Sequence, residues 1–278
     1  MLRAPILRSL SWLDHGFTTR AAGDMRRAAP QRRLLHGIAA ADGSRWQWAF
    51  LEQVHGSVIW RIPQPPGAPR VCVGDGLMTA TPGRLLAVRT ADCVPVLLAD
   101  PQHRVVAAIH AGWRGTVQRV VEKAVGELRR QFGVQPTALR AAIGPRIGAC
   151  CYRVGGEVVE AFRAQFDYAE ELFQPAEPDP VQSRYPMLFM TGAPPGHPYD
   201  PRWNPDRPVT LDLAAANRRQ LLAAGVPAGQ IEVLPYCTYC RPRMFYSFRR
   251  EGAAAGRMAA WIGIRKTLQR TASNRFGK

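Results

Sequence analysis

The chain has 278 residues, of which 46% are hydrophobic, 21% charged and 9% aromatic. That composition supplies a sizeable core and excludes wholesale disorder. The net charge of +16 is almost wholly arginine, since Lys123, Lys266 and Lys278 are the only lysines among 37 basic residues, and such a charge first suggests nucleic acid or an anionic surface.

No run of about 18 or more uncharged apolar residues occurs, so no transmembrane helix and no membrane partner are expected. Arg3, Arg8 and Asp14 break the N-terminal apolar stretches, which are too short for a signal peptide. A cytoplasmic location is expected, with the six sparse cysteines kept as thiols.

In chain order, residues 20–35 are rich in Arg and Ala without a clean period and read as loop or loose helix. Residues 46–62 read as a strand region interrupted by Glu52-Gln53-Val54-His55-Gly56, and residues 63–69 as a proline-rich turn. Residues 85–100 are apolar and β-branched with Asp92-Cys93 in the middle, which gives one or two buried strands. After a turn at Pro101-Gln102, residues 104–110 give another. Ala111-Gly112-Trp113-Arg114-Gly115 then opens a helix. Thr116 is its expected N-cap and Gly133 its stop, and Val117, Val120, Val121, Ala124, Val125 and Leu128 share one face.

Further helices are expected at 155–166 and 211–224, a strand at 231–235 and an apolar segment at 258–264. Residues 174–208 hold 10 of the 24 prolines, and read as an extended surface insertion, decoration rather than a lid. The basic stretch 267–278 reads as a disordered tail, and residues 1–266 as one catalytic domain. There is no P-loop, no GxGxxG and no regular βαβ alternation, so the pattern is α+β with mixed sheets.

Local features nominate chemistry singly. The strand–glycine–helix unit around Arg114 resembles an anion site, because free N–H groups at a helix start attract anions and glycines admit a ligand. Asp92 is a carboxylate in an apolar run and needs partners. His55, Cys93 and His110 are separated by 38 and 17 residues, which matches no local metal motif, and spacing does not join them. Cys237-Thr238-Tyr239-Cys240 is a lone CxxC. A structural zinc needs two more ligands at comparable spacing and none lies nearby, so it reads as packing thiols. Cys150-Cys151 sits in a rigid Gly-Pro loop, where adjacent cysteines do not bridge each other.

Taken together, Gly16-Phe17-Thr18-Thr19-Arg20, Gln53-Val54-His55-Gly56, Asp75-Gly76-Leu77-Met78-Thr79 and Thr90-Ala91-Asp92-Cys93-Val94-Pro95-Val96 form an ordered set. It continues through His110-Ala111-Gly112-Trp113-Arg114-Gly115, Ile143-Gly144-Pro145, Leu211-Asp212-Leu213, Cys237-Thr238-Tyr239-Cys240 and Phe245-Tyr246-Ser247-Phe248-Arg249-Arg250. This set resembles the laccase-domain family, also called YfiH-like or multicopper polyphenol oxidoreductase. Its members are described as purine nucleoside phosphorylases, and one as a peptidoglycan editing factor.

The resemblance implies a four-layer α/β/β/α sandwich with mixed β-sheets, similar to cysteine-hydrolase-like folds. It implies a metal-binding and catalytic trio of His55, Cys93 and His110 that holds Zn²⁺, with Cu²⁺ as a second candidate for the same site. The implied activity is zinc-dependent phosphorolysis of adenosine, inosine or methylthioadenosine, with adenosine deamination as a side activity; the partners are purine nucleoside and phosphate, and a monomer is favoured. Arg20, Arg114, Gly112 and Gly115 are then candidates for phosphate or substrate, and Asp75 and Asp92 for carboxylates that hold a ligand histidine. After Arg20 the family carries a Gly-Gly-Val-Ser stretch where this chain has Ala21-Ala22-Gly23-Asp24.

Two alternatives stand beside this. One is an amide hydrolase acting on peptidoglycan precursors, with Cys93 as nucleophile and His110 as base. The other, a nucleic-acid-binding module, rests on charge alone. A four-copper oxidase is disfavoured by composition, because the histidines are at 15, 36, 55, 103, 110 and 197, with no His-x-His. The charge itself divides unevenly: residues 1–33 carry seven arginines against two aspartates, and residues 241–278 ten basic residues against Glu251. The nearly neutral middle holds most of the expected site, so the charged ends read as a coding bias toward arginine.

Overall fold

The computed structural model describes residues 1–42, 46–62, 72–176 and 209–266. The expected turn at 63–69, most of the proline-rich insertion and the basic tail lie outside these residues.

Two mixed sheets form the centre. The first has the order β1 (Leu13–Phe17), β15 (Met258–Ile264), β7 (Arg84–Thr90) and β2 (Gln47–Ala49). The second has the order β14 (Ile231–Val233), β10 (Arg140–Ile143), β8 (Val94–Asp100), β9 (Val105–Ala111), β6 (Gly76–Thr79) and β4 (Ile59–Arg61). Smaller ladders join β3 (Leu51–Glu52) to β5 (Cys72–Val73), and β11 (Arg153–Val154) through β13 (Val209–Leu211) to β12 (Phe173–Pro175).

The helices are α1 (Pro5–Arg8), α2 (Ala28–Asp42), α3 (Trp113–Val117), α4 (Val120–Phe132), α5 (Gly156–Gln165), α6 (Leu213–Ala223) and α7 (Phe248–Glu251).

Strand periodicity assigns each residue to a layer. In β9, Val105, Ala107, Ile109 and Ala111 pack with the helices α4, α5 and α6. The alternate residues Val106 and Ala108 join Leu97, Ala99 and Ala142 against Phe17, Leu86, Val88, Ala260 and Ile262 of the other sheet. On the far side of that sheet, Leu85, Ala87 and Trp261 pack with Ile38 of α2 and with Trp46. The layers therefore run helix, sheet, sheet, helices, as expected. Because the central strands are covered on both faces, they read as continuous apolar runs rather than alternating ones.

The structure decides one point that the sequence left open and corrects two others. The apolar run 85–100 is two strands, β7 and β8, in different sheets, and Asp92-Cys93 lies where the chain crosses between them. Asp92 takes a left-handed conformation there, with φ 89°, which a non-glycine residue adopts only when its surroundings hold it.

Thr116 is not an N-cap. The helix is divided by Arg119, which is left-handed at φ 59°, and Gly112 begins the short first piece. Thr116 is instead buried, and its hydroxyl and carbonyl accept from Asn217 and Gln220 of α6 at 3.0 and 2.7 Å. Helix α6 starts at Leu213 rather than 211, because the Asp212 side chain accepts from the Ala215 N–H at 2.9 Å and caps it. Gly133 does end α4 in the left-handed conformation, with φ 71°.

Candidate metal and active site

The site is built where the two sheets meet at one end. His110 lies near the end of β9, in the row of Val106 and Ala108. Pairing of β6 with β9 places Asp75 beside it, and the His110 N–H donates to the Asp75 carbonyl at 2.7 Å. The Asp75 carboxylate, fully buried, then meets the His110 ring: Oδ1 lies 2.7 Å from Nδ1. That contact fixes the ring and turns Nε2 outward.

The same carboxylate shapes the loop that carries His55. Oδ1 also accepts from the His55 N–H at 3.0 Å, and Oδ2 from Val54 and Gly56 at 3.3 and 2.6 Å. His55 sits in this loop with φ 60°, a left-handed turn that aims consecutive N–H groups at one acceptor. Gln53 anchors the loop from the other side. Its amide gives and takes one hydrogen bond with the Arg89 backbone, both at 2.8 Å, and so substitutes for a strand residue at the edge of β7.

Cys93 follows Asp92 in the crossover. Its sulfur and the ring nitrogens of His55 and His110 all lie within 4.8 Å of one another. The two rings are edge-on, with centroids 4.9 Å apart. Gly112 is required by this closeness: a Cβ there would lie 2.8 Å from His55 Cδ2 and 3.2 Å from Cys93 Sγ.

Electrostatics couple the three. Burial opposes ionisation of the Cys93 thiol, but the facing His110 and the hydrogen bonds from both imidazoles outweigh it, and its pKa falls to about 6. Burial likewise disfavours a charged His110, yet the Cys93 sulfur and Asp75 raise it to about 9. Asp75 is held below the usual carboxylate range: burial works against this, and His110 and the loop N–H groups prevail.

Asp92 does not hold a histidine, contrary to expectation. Its carboxylate accepts from the Thr238 and Ser247 hydroxyls at 2.6 and 3.0 Å and from the Arg249 N–H at 2.7 Å. It secures the Cys93 crossover to the C-terminal segment, because its three partners are all there.

A cavity of about 860 Å³ opens over the trio, a volume suited to a small organic ligand. His55, Cys93 and His110 line it, with Tyr152, Trp113 and Phe248 as aromatic walls and Arg26, Arg89, Arg114, Arg249 and Arg257 as cations. Arg114 is there as expected, loosely paired with Glu157 at 3.4 Å.

Arg20 is not among the lining residues. It is bound to Glu251 and stacks on Tyr246. Gly112 and Gly115 are buried and serve close packing: a Cβ on Gly115 would meet the Gly56 carbonyl at 2.8 Å. Arg26 is neutralised by Asp24. Arg89, Arg249 and Arg257 donate to backbone carbonyls instead of carboxylates among the described residues. Burial, with Arg257 and Arg26 close by, lowers the Arg89 pKa, so several cations converge on one stretch of wall.

Sequence reasoning missed these arginines because they come from three distant segments, although Arg249 stood inside a quoted motif. The charged chain ends, read above as incidental, supply Arg26, Arg249 and Arg257 to the cavity.

Among the described residues no further histidine joins the site. His15 is buried, and accepts from the Ala4 N–H at 3.0 Å, and His103 is held by Asp100 at 2.5 Å.

The lone CxxC also needs correction. Cys150, Cys151, Cys237 and Cys240 form a second group whose sulfurs all lie within 4.8 Å of one another. The fold brings the adjacent pair to the CxxC from a distant part of the sequence.

Comparison with known proteins agrees with the architecture. A purine nucleoside phosphorylase of Deinococcus radiodurans is 36% identical over 95% of this chain and 92% of its own length. The adenosine deaminase RL5, from an unknown prokaryotic organism, is 40% identical over 66% of this chain, which spans 59% of that protein. The crystal structure of YlmD from Geobacillus stearothermophilus superposes with a TM-score of 0.71 at 33% identity, covering 95% of this chain and 94% of that one. The family described as multi-copper polyphenol oxidoreductase laccase matches residues 14–265, and the chain belongs to it.

Proposed function

We propose that this chain is a purine nucleoside phosphorylase that also deaminates adenosine, with His55, Cys93 and His110 holding a zinc ion. One observation carries the reading: two imidazoles and a thiol converge, donor atoms within 4.8 Å, in the wall of an arginine-lined cavity. The activities are those named for the Deinococcus and RL5 relatives.

The residues fit the metal. Two nitrogens and one sulfur suit Zn²⁺ and leave a fourth position open. Asp75 occupies Nδ1 of His110 and leaves Nε2 free, and Gly112 puts no side chain between His55 and Cys93. When bound, the ion supplies Lewis acidity and an acidified water. Cu²⁺ would take the same ligands, but four-copper chemistry has too few imidazoles here.

The chain's own residues bind and orient. Arg89, Arg249 and Arg257 offer forked donors for phosphate, whose oxygen attacks the anomeric carbon as the glycosidic bond breaks. Tyr152, Phe248 and Trp113 offer faces for a purine ring. Burial, with the Cys93 charge adding to it, pushes the Tyr152 phenol up. Its hydroxyl therefore stays protonated and can donate a hydrogen bond to the departing base.

The test is release of free base from adenosine, inosine and methylthioadenosine, measured with and without phosphate and with a chelator. Phosphate-dependent release that chelation or Cys93→Ala abolishes is expected. Full activity in Cys93→Ala would remove the trio from the reaction. Activity that alkylation stops and chelation leaves intact would make Cys93 a thiol nucleophile with His110 as its base.

A further inference from the structure

The four remaining clustered cysteines lie outside the cavity, and phosphorolysis makes no use of them. Cys240 Sγ is 3.2 Å from Cys151 Sγ and 3.6 Å from Cys150 Sγ. These separations far exceed a disulfide bond of about 2.05 Å. They approach the edge of about 3.8 Å that a tetrahedron has when each metal–sulfur bond is about 2.3 Å.

The surrounding backbone is shaped to hold the sulfurs together. Gly148 donates its N–H to Cys237 Sγ at 3.2 Å, and a Cβ on Gly148 would lie 3.2 Å from Cys150 Sγ. The Cys151 and Tyr152 N–H groups both return to the Gly148 carbonyl at 3.0 Å, which curls the adjacent pair into a tight turn. A bridge between Arg146 and Cys237 sets the two segments side by side, with the Thr238 N–H on the Arg146 carbonyl at 2.9 Å.

Charge also fits. Four thiolates around a divalent cation leave a net negative group. Arg250, which also pairs with Glu251 at 2.6 Å, donates to the Thr238 and Tyr239 carbonyls at 2.9 and 2.7 Å inside the CxxC turn. Arg146 lies near Cys237 and Cys150, and its buried Nε has no hydrogen-bond partner among the described residues.

We propose that Cys150, Cys151, Cys237 and Cys240 form a second metal site, a tetrathiolate that holds a structural zinc ion. Binding displaces the thiol protons to solvent and involves no redox step. The ion staples the 146–152 turn to the 237–250 segment. Both segments support the crossover at Cys93: the Ile147 N–H donates to the Asp92 carbonyl at 2.9 Å, and Thr238 and Ser247 hold the Asp92 carboxylate. They also contribute Ile147, Tyr152, Phe248 and Arg249 to the cavity wall. The site is therefore a brace behind the active site, independent of the metal at His55, Cys93 and His110.

The test is metal content of the full chain, purified under reducing conditions with Zn²⁺ and, separately, Co²⁺. The Cys93→Ala protein should keep one tightly held zinc per chain, and its Co²⁺ form should show the strong thiolate charge-transfer absorption of a tetrathiolate. X-ray absorption at the zinc edge should give sulfur alone in the first shell, at about 2.3 Å. Cys240→Ser in the Cys93→Ala background should lose that zinc. Should the double variant fail to fold, alkylation of Cys93→Ala decides instead: four of its five thiols should resist until a strong chelator is added. A Cys93→Ala protein with no bound zinc and freely alkylated thiols would overturn the proposal. So would a disulfide between Cys240 and Cys150 or Cys151 in the freshly purified, non-reduced chain. Neither result bears on phosphorolysis, which the nucleoside assay reads separately.

Discussion

Asp75→Asn tests how the trio is held. The substitution keeps the size of the side chain but turns one acceptor oxygen into a donor. Oδ1 serves His55 N–H and His110 Nδ1, and Oδ2 serves Val54 and Gly56 N–H. Whichever way the amide is turned, two of these four groups face an NH₂. Each buried donor left unpaired costs about 1–3 kcal/mol, so the metal-free protein should lose about 2–6 kcal/mol. Both orientations also disturb a ligand, since one releases the His110 ring and the other the His55 loop. Loss of such a supporting contact typically weakens metal binding about 10–100-fold, or about 1.4–2.7 kcal/mol. Urea unfolding of the metal-free proteins measures the first quantity. Co²⁺ titration, read as difference absorbance against Cys93→Ala, measures the second at the trio alone. An Asp75→Asn protein with the wild-type urea midpoint and an affinity within about twofold of wild type would refute the idea that this carboxylate organises the site.

Four further predictions follow from distances and charges already described. Gly112→Ala should cut metal affinity at least about tenfold, because its Cβ falls 2.8 Å from the His55 ring; the same Co²⁺ titration checks it, and wild-type affinity would contradict the packing argument. Alkylation of Cys93 in the metal-free protein should rise with pH around a midpoint near 6, and in His110→Gln the midpoint should move up, since burial then acts without its opposing cation; an unmoved midpoint would exclude the coupling. Burial and the neighbouring Arg3 push His15 down to about 4 from 6.5, so between these values the unfolded chain binds a proton that the native chain does not. Stability should therefore fall as pH drops below 6.5, by about 3 kcal/mol at the lower end of that window. His15→Gln should remove this part of the slope in urea midpoints taken at neutral pH and near pH 5, and identical slopes would rule it out. Arg89→Gln should raise the KM for phosphate more than that for nucleoside, and equal rises would place the anion elsewhere.

The outer plan of the fold was legible because buried strands and one amphipathic helix announce themselves. Val120, Val121, Ala124, Val125 and Leu128 fall on the buried face of α4 as their spacing requires. Other features left no pattern. Strand β1 is wholly buried yet contains Asp14, His15 and Gly16, and its polar residues masked it. Whether residues 85–100 made one strand or two stayed open, because both strands are covered on two faces and Asp92 is the one charged residue at the crossover. His55, Cys93 and His110 were joined by family resemblance and not by spacing, since the sheets rather than the sequence bring them together. Asp75 too was nominated through the resemblance, since its contact with His110 depends on the β6–β9 register, and the companions of the CxxC lie on a turn far away in the chain. Neither can be read from neighbouring residues.

The Gln53 contact with Arg89 has a consequence for how the catalytic end can change. Through it the His55 loop hangs from the first sheet, and through Asp75 from the second; Cys93 lies on the strand-to-strand passage between them, and His110 belongs to the second sheet alone. His55 and His110 are thus anchored to the paired sheets, whereas Cys93 also depends on the C-terminal segment that holds Asp92. The cations around the opening belong mostly to other segments, at the two ends of the chain. Exchanging the segment around Arg26 would alter what the opening admits without shifting the donors, whereas exchanging the one around Arg249 would also move Cys93 through Asp92, so selectivity can vary apart from reactivity on one side of the opening only.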